Sequence, residues 1–394
     1  MSHTATTDHP TSSNKVALWS MLFGNFVIGT GVLLPAGLLN DMSTDFAITP
    51  ARTGLLSFVG GLVVGIGAPL FATLTSRFDR RLLLTLALLL YAAGHLASAF
   101  APSFELQLWL RAITIIGAAV FTPQAAATAG LLVPPEKRSA AIAFIFIGWS
   151  AASVAGIPLG GLISSQFGWR SAYFLMAALS VMGAVGIWFS LKPRLFVQPL
   201  GLAAWAKALS SPVILLVFLV TLLSMSGQFT MFAYIAPILR DGFGASPLMI
   251  SMAFLIVGIA GVTGNSVASR IVGRFGVDRI IAAGLASLCV GFIGFALSDG
   301  NFAFAMIASL FWGLGSFSSN SLQQSRLAGL ALPIASATIA LNTSFVYLGQ
   351  STGAKVGGYL MDMGKMTSLP WMAFGFMAAA IIVSLIASRV SQKT

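Results

Sequence analysis

Charge is scarce in this 394-residue chain: Asp, Glu, Lys and Arg make up 8% of it, against roughly 25% in soluble domains. A chain so poor in charge does not have water as its main solvent. Acids are scarcer than bases, ten against 21. Asp8, Asp41, Asp45, Asp79, Glu105, Glu136, Asp241, Asp278, Asp299 and Asp362 lie in the N-terminal tail, in loops, or close to the ends of apolar runs. No carboxylate is placed at mid-membrane depth, which excludes a membrane-embedded pair of catalytic acids. Cys289 is the sole cysteine, so no intramolecular disulfide forms, and its reading is a small buried hydrophobe. His3 and His9 fall in the tail, leaving His95 alone in an apolar run. One such histidine, one cysteine and no buried acid supply neither a metal-ligand set nor a nucleophile and base, so no metal, cofactor or enzymatic activity is expected. Residues 1–14 lack the basic region and apolar core of a signal peptide and read as a disordered cytoplasmic tail.

Apolar residues are abundant: 57% of the chain is hydrophobic and its mean hydropathy is +0.93. A hydrocarbon core about 30 Å thick takes about 20 residues of helix. Runs of that kind fall near residues 17–40, 54–75, 82–101, 106–132, 140–164, 172–191, 213–239, 249–272, 279–298, 302–325, 335–360 and 370–388. The expected fold is an all-α membrane protein of twelve transmembrane helices. The net charge of +11 forms no contiguous stripe, which argues against nucleic acid as a partner. With a cytoplasmic N-terminus the inside loops carry most of the Lys and Arg, and the outside loops only Arg52, Arg170, Arg240 and Lys365. The positive-inside rule then puts both termini in the cytoplasm.

An offset of 197 residues superposes the second half on the first, as from Arg77-Phe78 to Arg274-Phe275. The same shift carries Pro50 to Pro247, Gly61 to Gly258, Gly67 to Gly264, Gly94 to Gly291, and Gly156, Gly160 and Gly161 to Gly353, Gly357 and Gly358. Two pseudo-symmetric six-helix bundles follow, at 15–191 and 213–394. A cytoplasmic linker at 192–212 joins them and carries a short interfacial helix around Trp205.

Several motifs carry a family resemblance. They are Ser76-Arg77-Phe78-Asp79-Arg80-Arg81 after span 2, the pair Arg111 and Gly117 in span 4, Gly156-Ile157-Pro158-Leu159-Gly160-Gly161 with Phe167-Gly168-Trp169-Arg170 around span 5, and Ala233-Tyr234-Ile235-Ala236-Pro237 in span 7. In these the chain resembles the major facilitator superfamily, and within it the twelve-span bacterial drug:proton antiporters and sugar-efflux permeases. The resemblance implies a secondary transporter of the bacterial inner membrane that moves a small molecule by alternating access, with protons as a candidate partner beside the lipid bilayer; a monomer suffices for such a two-half transporter. It implies that Arg77, Asp79 and Arg80 latch the inward gate, although Ser76 stands where the family has an acid and Asp79 where it has a glycine. It also implies that Gly156, Pro158 and Gly160 let span 5 rock against the other half near span 8, and that Arg111 takes part in proton coupling or substrate polarisation.

Physical chemistry adds to this list. An intramembrane Arg111 must face a wet cavity, bond carbonyls, or pair with Asp41 at the outer mouth. Lys355 either snorkels to the outer surface or titrates and carries a coupling proton. His95 is a structural histidine or a proton relay. Neutral polar side chains gather in spans 1, 4, 7, 10 and 11: Asn25 and Thr30; Gln124; Gln228 and Tyr234; Asn320 and Gln324; Asn342, Tyr347 and Gln350. With Arg111, and with Phe26, Phe121, Phe229, Phe232, Trp312 and Phe345 nearby, they describe a pocket for a neutral polar or amphipathic solute. A cation there would lie desolvated without a counter-ion. The expectation is export of a neutral sugar, nucleoside or amphenicol-like drug, with a proton-independent facilitator or an importer as the alternative.

Overall fold

A computed structural model of the chain describes residues 12–75, 77–196, 202–330 and 334–391. The described residues form helices and their connections, with no strand. Twelve long helices define the spans: α1 Ser12–Asp45, α2 Leu55–Leu74, α3 Arg80–Ala99, α4 Phe104–Leu131, α5 from Arg138 to Phe167, α6 Trp169–Ser190, α7 Pro212–Phe232, α8 Pro247–Phe275, α9 Val277–Ala296, α10 Phe302–Leu330, α11 Ala335–Asp362 and α12 Leu369–Ser391. Helix α1 begins at Ser12, so the end of the expected tail is helical, and residues 1–11 lie outside the described residues. An even number of spans brings both chain ends to one side, the terminal face; the other side is the far face.

Eleven of these helices are long and apolar enough to cross a membrane. The twelfth, α11, has the length at 28 residues but also holds Asn342, Thr343, Tyr347, Gln350 and Lys355. Its polarity has a packing cause: α11 lies between α7 of its own half and α2 of the other, so little of it needs to match lipid.

Helix ends follow local chemistry. Asp79 caps α3 by accepting from the Leu82 amide at 3.1 Å, and Ser103 and Ser246 cap α4 and α8 in the same way. Gly168 and Gly276 each link two helices with φ near +80°, at 81° and 82°, a region L-residues with side chains rarely enter. Prolines set the bends. Pro158 deprives the Val154 carbonyl of its helical donor, and α5 passes through a π turn at Ala152–Gly156 just before it. Pro237 does the same to Ala233, where α7 breaks before continuing as Ile235–Phe243. The linker holds a short helix, Leu202–Ser210, whose Ala208 packs into an apolar cluster with Ile214, Phe218 and Leu341.

Buried apolar residues fall into two large groups. One runs through α1–α6 and includes Met21, Leu84, Phe121 and Met176. The other runs through α7–α12 and includes Phe254, Phe292, Trp312 and Met377. Few residues cross over: Tyr347 joins the first group, and Ala36, Leu39 and Ile157 join the second. These mark the seam. There α2 packs on α11 and α5 on α8, with glycines where the backbones touch. A Cβ at Gly61 would stand 2.7 Å from the Tyr347 carbonyl oxygen, and one at Gly258 would stand 2.9 Å from that of Ser153. At the far face Thr49 donates to Asp362 at 3.3 Å. Of the glycine contacts between the halves, the one nearest the terminal face is Gly65 against Leu348. The seam is therefore tight from the far face to mid-depth.

Candidate functional site

The site is assembled from helices that meet along this seam. On α10, Ser316, Asn320 and Gln324 recur every fourth residue, form one stripe, and are partly exposed. Ser316 donates to the Gln228 amide oxygen of α7 at 2.5 Å, fixing the head of the stripe. The Asn320 side-chain oxygen is buried with no partner. On α11, Tyr347 lies in the seam and Gln350 is buried, and Asn342 accepts from Thr221 at 2.7 Å while its amide nitrogen has no partner. Across the seam Trp149 of α5 meets Tyr347, ring centroids 6.4 Å apart, and its indole N–H is buried without an acceptor. These groups set neutral donors and acceptors and two aromatic rings at mid-depth in the helices that meet at the seam.

Other polar residues from the sequence are committed to holding helices. Asn25 donates to the Ile145 carbonyl at 3.3 Å and accepts from Thr122 at 3.0 Å, tying α1 to α5 and α4. Tyr234 donates to the Ala354 carbonyl at 2.8 Å, at the break in α7. Gln124 accepts from Arg80 at 2.7 Å. Thr30 is buried against Gly156, its hydroxyl unpaired. Phe121 and Trp312 are fully buried inside their own halves, so the structure corrects their expected place on the chamber wall.

The candidate coupling residues separate in space. Arg111 is buried and donates to the carbonyls of Gly31 and Val32 at 2.8 Å each, and of Leu56 at 3.4 Å. The reason lies in α1: Pro35 has no N–H, so the Gly31 carbonyl lacks its helical donor, and the guanidinium replaces it. Asp41 accepts from Ser164 instead of Arg111. It lines a far-face cavity of ~140 Å³ between the halves, together with Asn40, Thr44 and Arg240. The neighbouring Asp241 carboxylate, more than Asp41 beyond it, holds the Arg240 guanidinium above the usual arginine range.

Lys355 is exposed, its ammonium 5.7 Å from the ring centroid of Phe58 on α2. Asp79 accepts from the Leu195 amide at 3.0 Å, and the Arg80 amide donates to the Leu195 carbonyl at 2.9 Å, so this loop clasps the start of the linker. Arg77 is exposed. Gly156 and Gly160 face Thr30 and Leu34 of α1, within their own half, while Ser153 and Val154 in the π turn meet α8. Pro158, beside them, is buried.

Sequence reasoning missed Trp149 as a site residue. The signal available was an indole in span 5 just before the glycine and proline motif, but its direction across the seam is a property of the fold.

Two six-helix groups of membrane-spanning length that meet along one seam define a two-bundle membrane protein. The chain belongs to the major facilitator superfamily, whose model matches residues 21–354. It is 25% identical to the uncharacterized MFS-type transporter YbcL of Bacillus subtilis, covering 95% of this chain and 96% of the relative. It is 26% identical to the inner membrane transport protein YdhP of Escherichia coli K12 over 96% and 97% of the two chains. A probable sugar efflux transporter of Pasteurella multocida is 28% identical over 86% and 83%. Among solved structures, a bacterial homologue of the human lysosomal transporter Spinster, inward-facing and unoccupied, matches with a TM-score of 0.76 at 16% identity, over 98% and 99% of the chains.

Proposed function

We propose that this protein exports a neutral small molecule, a sugar, nucleoside or amphenicol-like drug, across the bacterial inner membrane by alternating access and in exchange for protons. The observation that carries the substrate class is the chemistry of the seam. Trp149, Gln228, Ser316, Asn320, Gln324, Tyr347 and Gln350 are all neutral, and Asp41, Asp79, Asp278 and Asp362 stand at helix ends. A cation entering such a chamber loses hydration without gaining a counter-ion, whereas hydroxyls and amides find partners. The sugar efflux protein of Pasteurella multocida supports the same direction and substrate class. Basic loops at the terminal face favour cytoplasmic termini, so the tight far-face seam describes an inward-open state. In the proposed cycle a monomer rocks 15–191 against 213–394, with 192–212 as the cytoplasmic linker. Arg111, Asp41, Arg77, Asp79, Arg80 and the Gly156, Pro158 and Gly160 segment set its gates.

A second reading, proton-independent facilitation in either direction, is favoured by the same lack of a carboxylate, since no acid in mid-span stands ready to carry a proton. Counterflow separates the two. Purified protein in liposomes is loaded with the solute that most raises its thermal stability, and exchange is measured with and without an imposed pH gradient. Antiport predicts faster accumulation against the gradient; identical exchange in both cases overturns the antiport clause.

A further inference from the structure

Between α1, α3, α4 and α6 the first half holds a polar cluster that the transport chamber does not use. Tyr91, His95, Gln107, Arg111 and Tyr173 are each at most 2% exposed. Tyr91, His95 and Arg111 converge on Gly31. Arg111 bonds its carbonyl, and a Cβ there would stand 2.9 Å from His95 Nε2 and against the Tyr91 hydroxyl. The His95 ring centroid lies 4.3 Å from that of Tyr91 and 5.6 Å from that of Tyr173.

The bonds within the cluster do not close. Tyr91 donates to the Ile28 carbonyl at 3.1 Å. His95 Nδ1 lies 2.8 Å from the Tyr91 carbonyl; a carbonyl only accepts, so Nδ1 carries the proton and Nε2 is left as an acceptor. That Nε2 is buried and unpaired, and the Gln107 amide and the Tyr173 hydroxyl, which lie within reach of each other, are buried with no other partner. Arg111 directs its N–H groups at three carbonyls and has donors to spare. Unpaired polar groups are expensive in a bilayer, where no bulk solvent compensates them.

The second half supplies an internal control. A shift of 197 residues takes Tyr91 and His95 of α3 to Leu288 and Phe292 of α9, both apolar. Leu288 and Phe292 are fully buried there, with Phe292 packed on Trp312 at 5.3 Å. The fold therefore fills the places of Tyr91 and His95 with hydrocarbon there, so these two polar groups are not a requirement of six-helix packing.

We propose that this cluster is a binding site for ordered water. About two molecules, each making about three hydrogen bonds, join His95 Nε2, the Gln107 amide and the Tyr173 hydroxyl to the spare N–H groups of Arg111. The site hydrates the guanidinium inside the bilayer and positions it under the Pro35 bend of α1. Gly31 belongs to the site because any side chain there fills it.

Radiolytic hydroxyl labelling of the purified native protein tests this, because a buried tyrosine is labelled only where water lies beside it. Tyr173 is expected to label at a rate comparable to exposed tyrosines, despite its burial. A protected Tyr173 overturns the proposal. Melting of the Tyr173→Phe variant gives an independent sign. In a hydrated cluster the change removes a water ligand and lowers the melting temperature by a few degrees; a rise overturns the proposal. Melting is repeated with gluconate in place of chloride. A chloride-dependent gain that Tyr173→Phe abolishes assigns the site to an anion and also overturns it.

Discussion

Replacing Arg111 with Met is expected to reduce transport about 100-fold, ~2.7 kcal/mol at 1.36 kcal/mol per decade, while leaving a folded protein of nearly unchanged thermal stability. The two effects separate because opposite terms meet at this residue. The guanidinium supplies donors to Gly31, Val32 and Leu56, bonds worth about 1.5–3 kcal/mol each when charge-assisted. It also carries a desolvation cost of several kcal/mol, which Met removes. Stability therefore changes little, but the Pro35 bend of α1 loses the group that joins it to α2 and α4. Arg111→Lys is expected to fail as well, since one ammonium cannot fork across carbonyls from two helices. Counterflow, normalised to the amount of folded protein, reads the effect. Full activity in Arg111→Met contradicts it and assigns the bend to packing alone.

Gly258→Val is the second large effect. A Cβ at Gly258 would stand 2.9 Å from both the Ser153 carbonyl oxygen and the Val154 Cα, backbone atoms of the opposite half that cannot swing aside. The clash acts between halves, so each half keeps its own core. The expected result is a population shift away from the state with a closed far face. About 3 kcal/mol of strain, within the 1–3 kcal/mol range of overpacking, moves the equilibrium roughly 100-fold. Single-cysteine variants read this through reagent accessibility. A cysteine at Thr44, on the far-face cavity, gains reactivity, and transport falls at least tenfold. Unchanged reactivity at Thr44 contradicts a rocking seam at α5 and α8.

The twelve spans were legible because hydrophobicity over a bilayer's thickness is a one-dimensional signal. The repeat was legible because the two halves reuse glycines where helices touch, and Gly61 and Gly258 both meet backbone across the seam. The polarity of α11 was legible as well, read in sequence as part of a solute pocket, and the helix lies between the halves. Direction was not legible. Composition identifies Asn25, Gln124 and Tyr234 as polar and buried, but it does not say whether their partners are helices or solute. The fold gives all three a bond to a neighbouring helix. Lys355 is similar: a lysine in the outer part of a span is compatible with the chamber or with the surface, and only the rotation of α11 selects the surface. The role of Pro35 was half visible, since the lost donor is a local fact of sequence. That Arg111 supplies the replacement requires α4 to pass beside it, and that depends on tertiary structure.

The central claim is that the chamber between the halves recognises uncharged solutes through neutral groups. Its most direct test is a thermal-stability series on purified protein, with neutral hexoses, nucleosides and amphenicols in one arm and lipophilic cations such as tetraphenylphosphonium in the other. The account predicts a saturable rise in melting temperature for at least one neutral class, lost in Trp149→Ala and Gln350→Leu, and none for the cations. A saturable rise with the cations, abolished by those same substitutions, contradicts it.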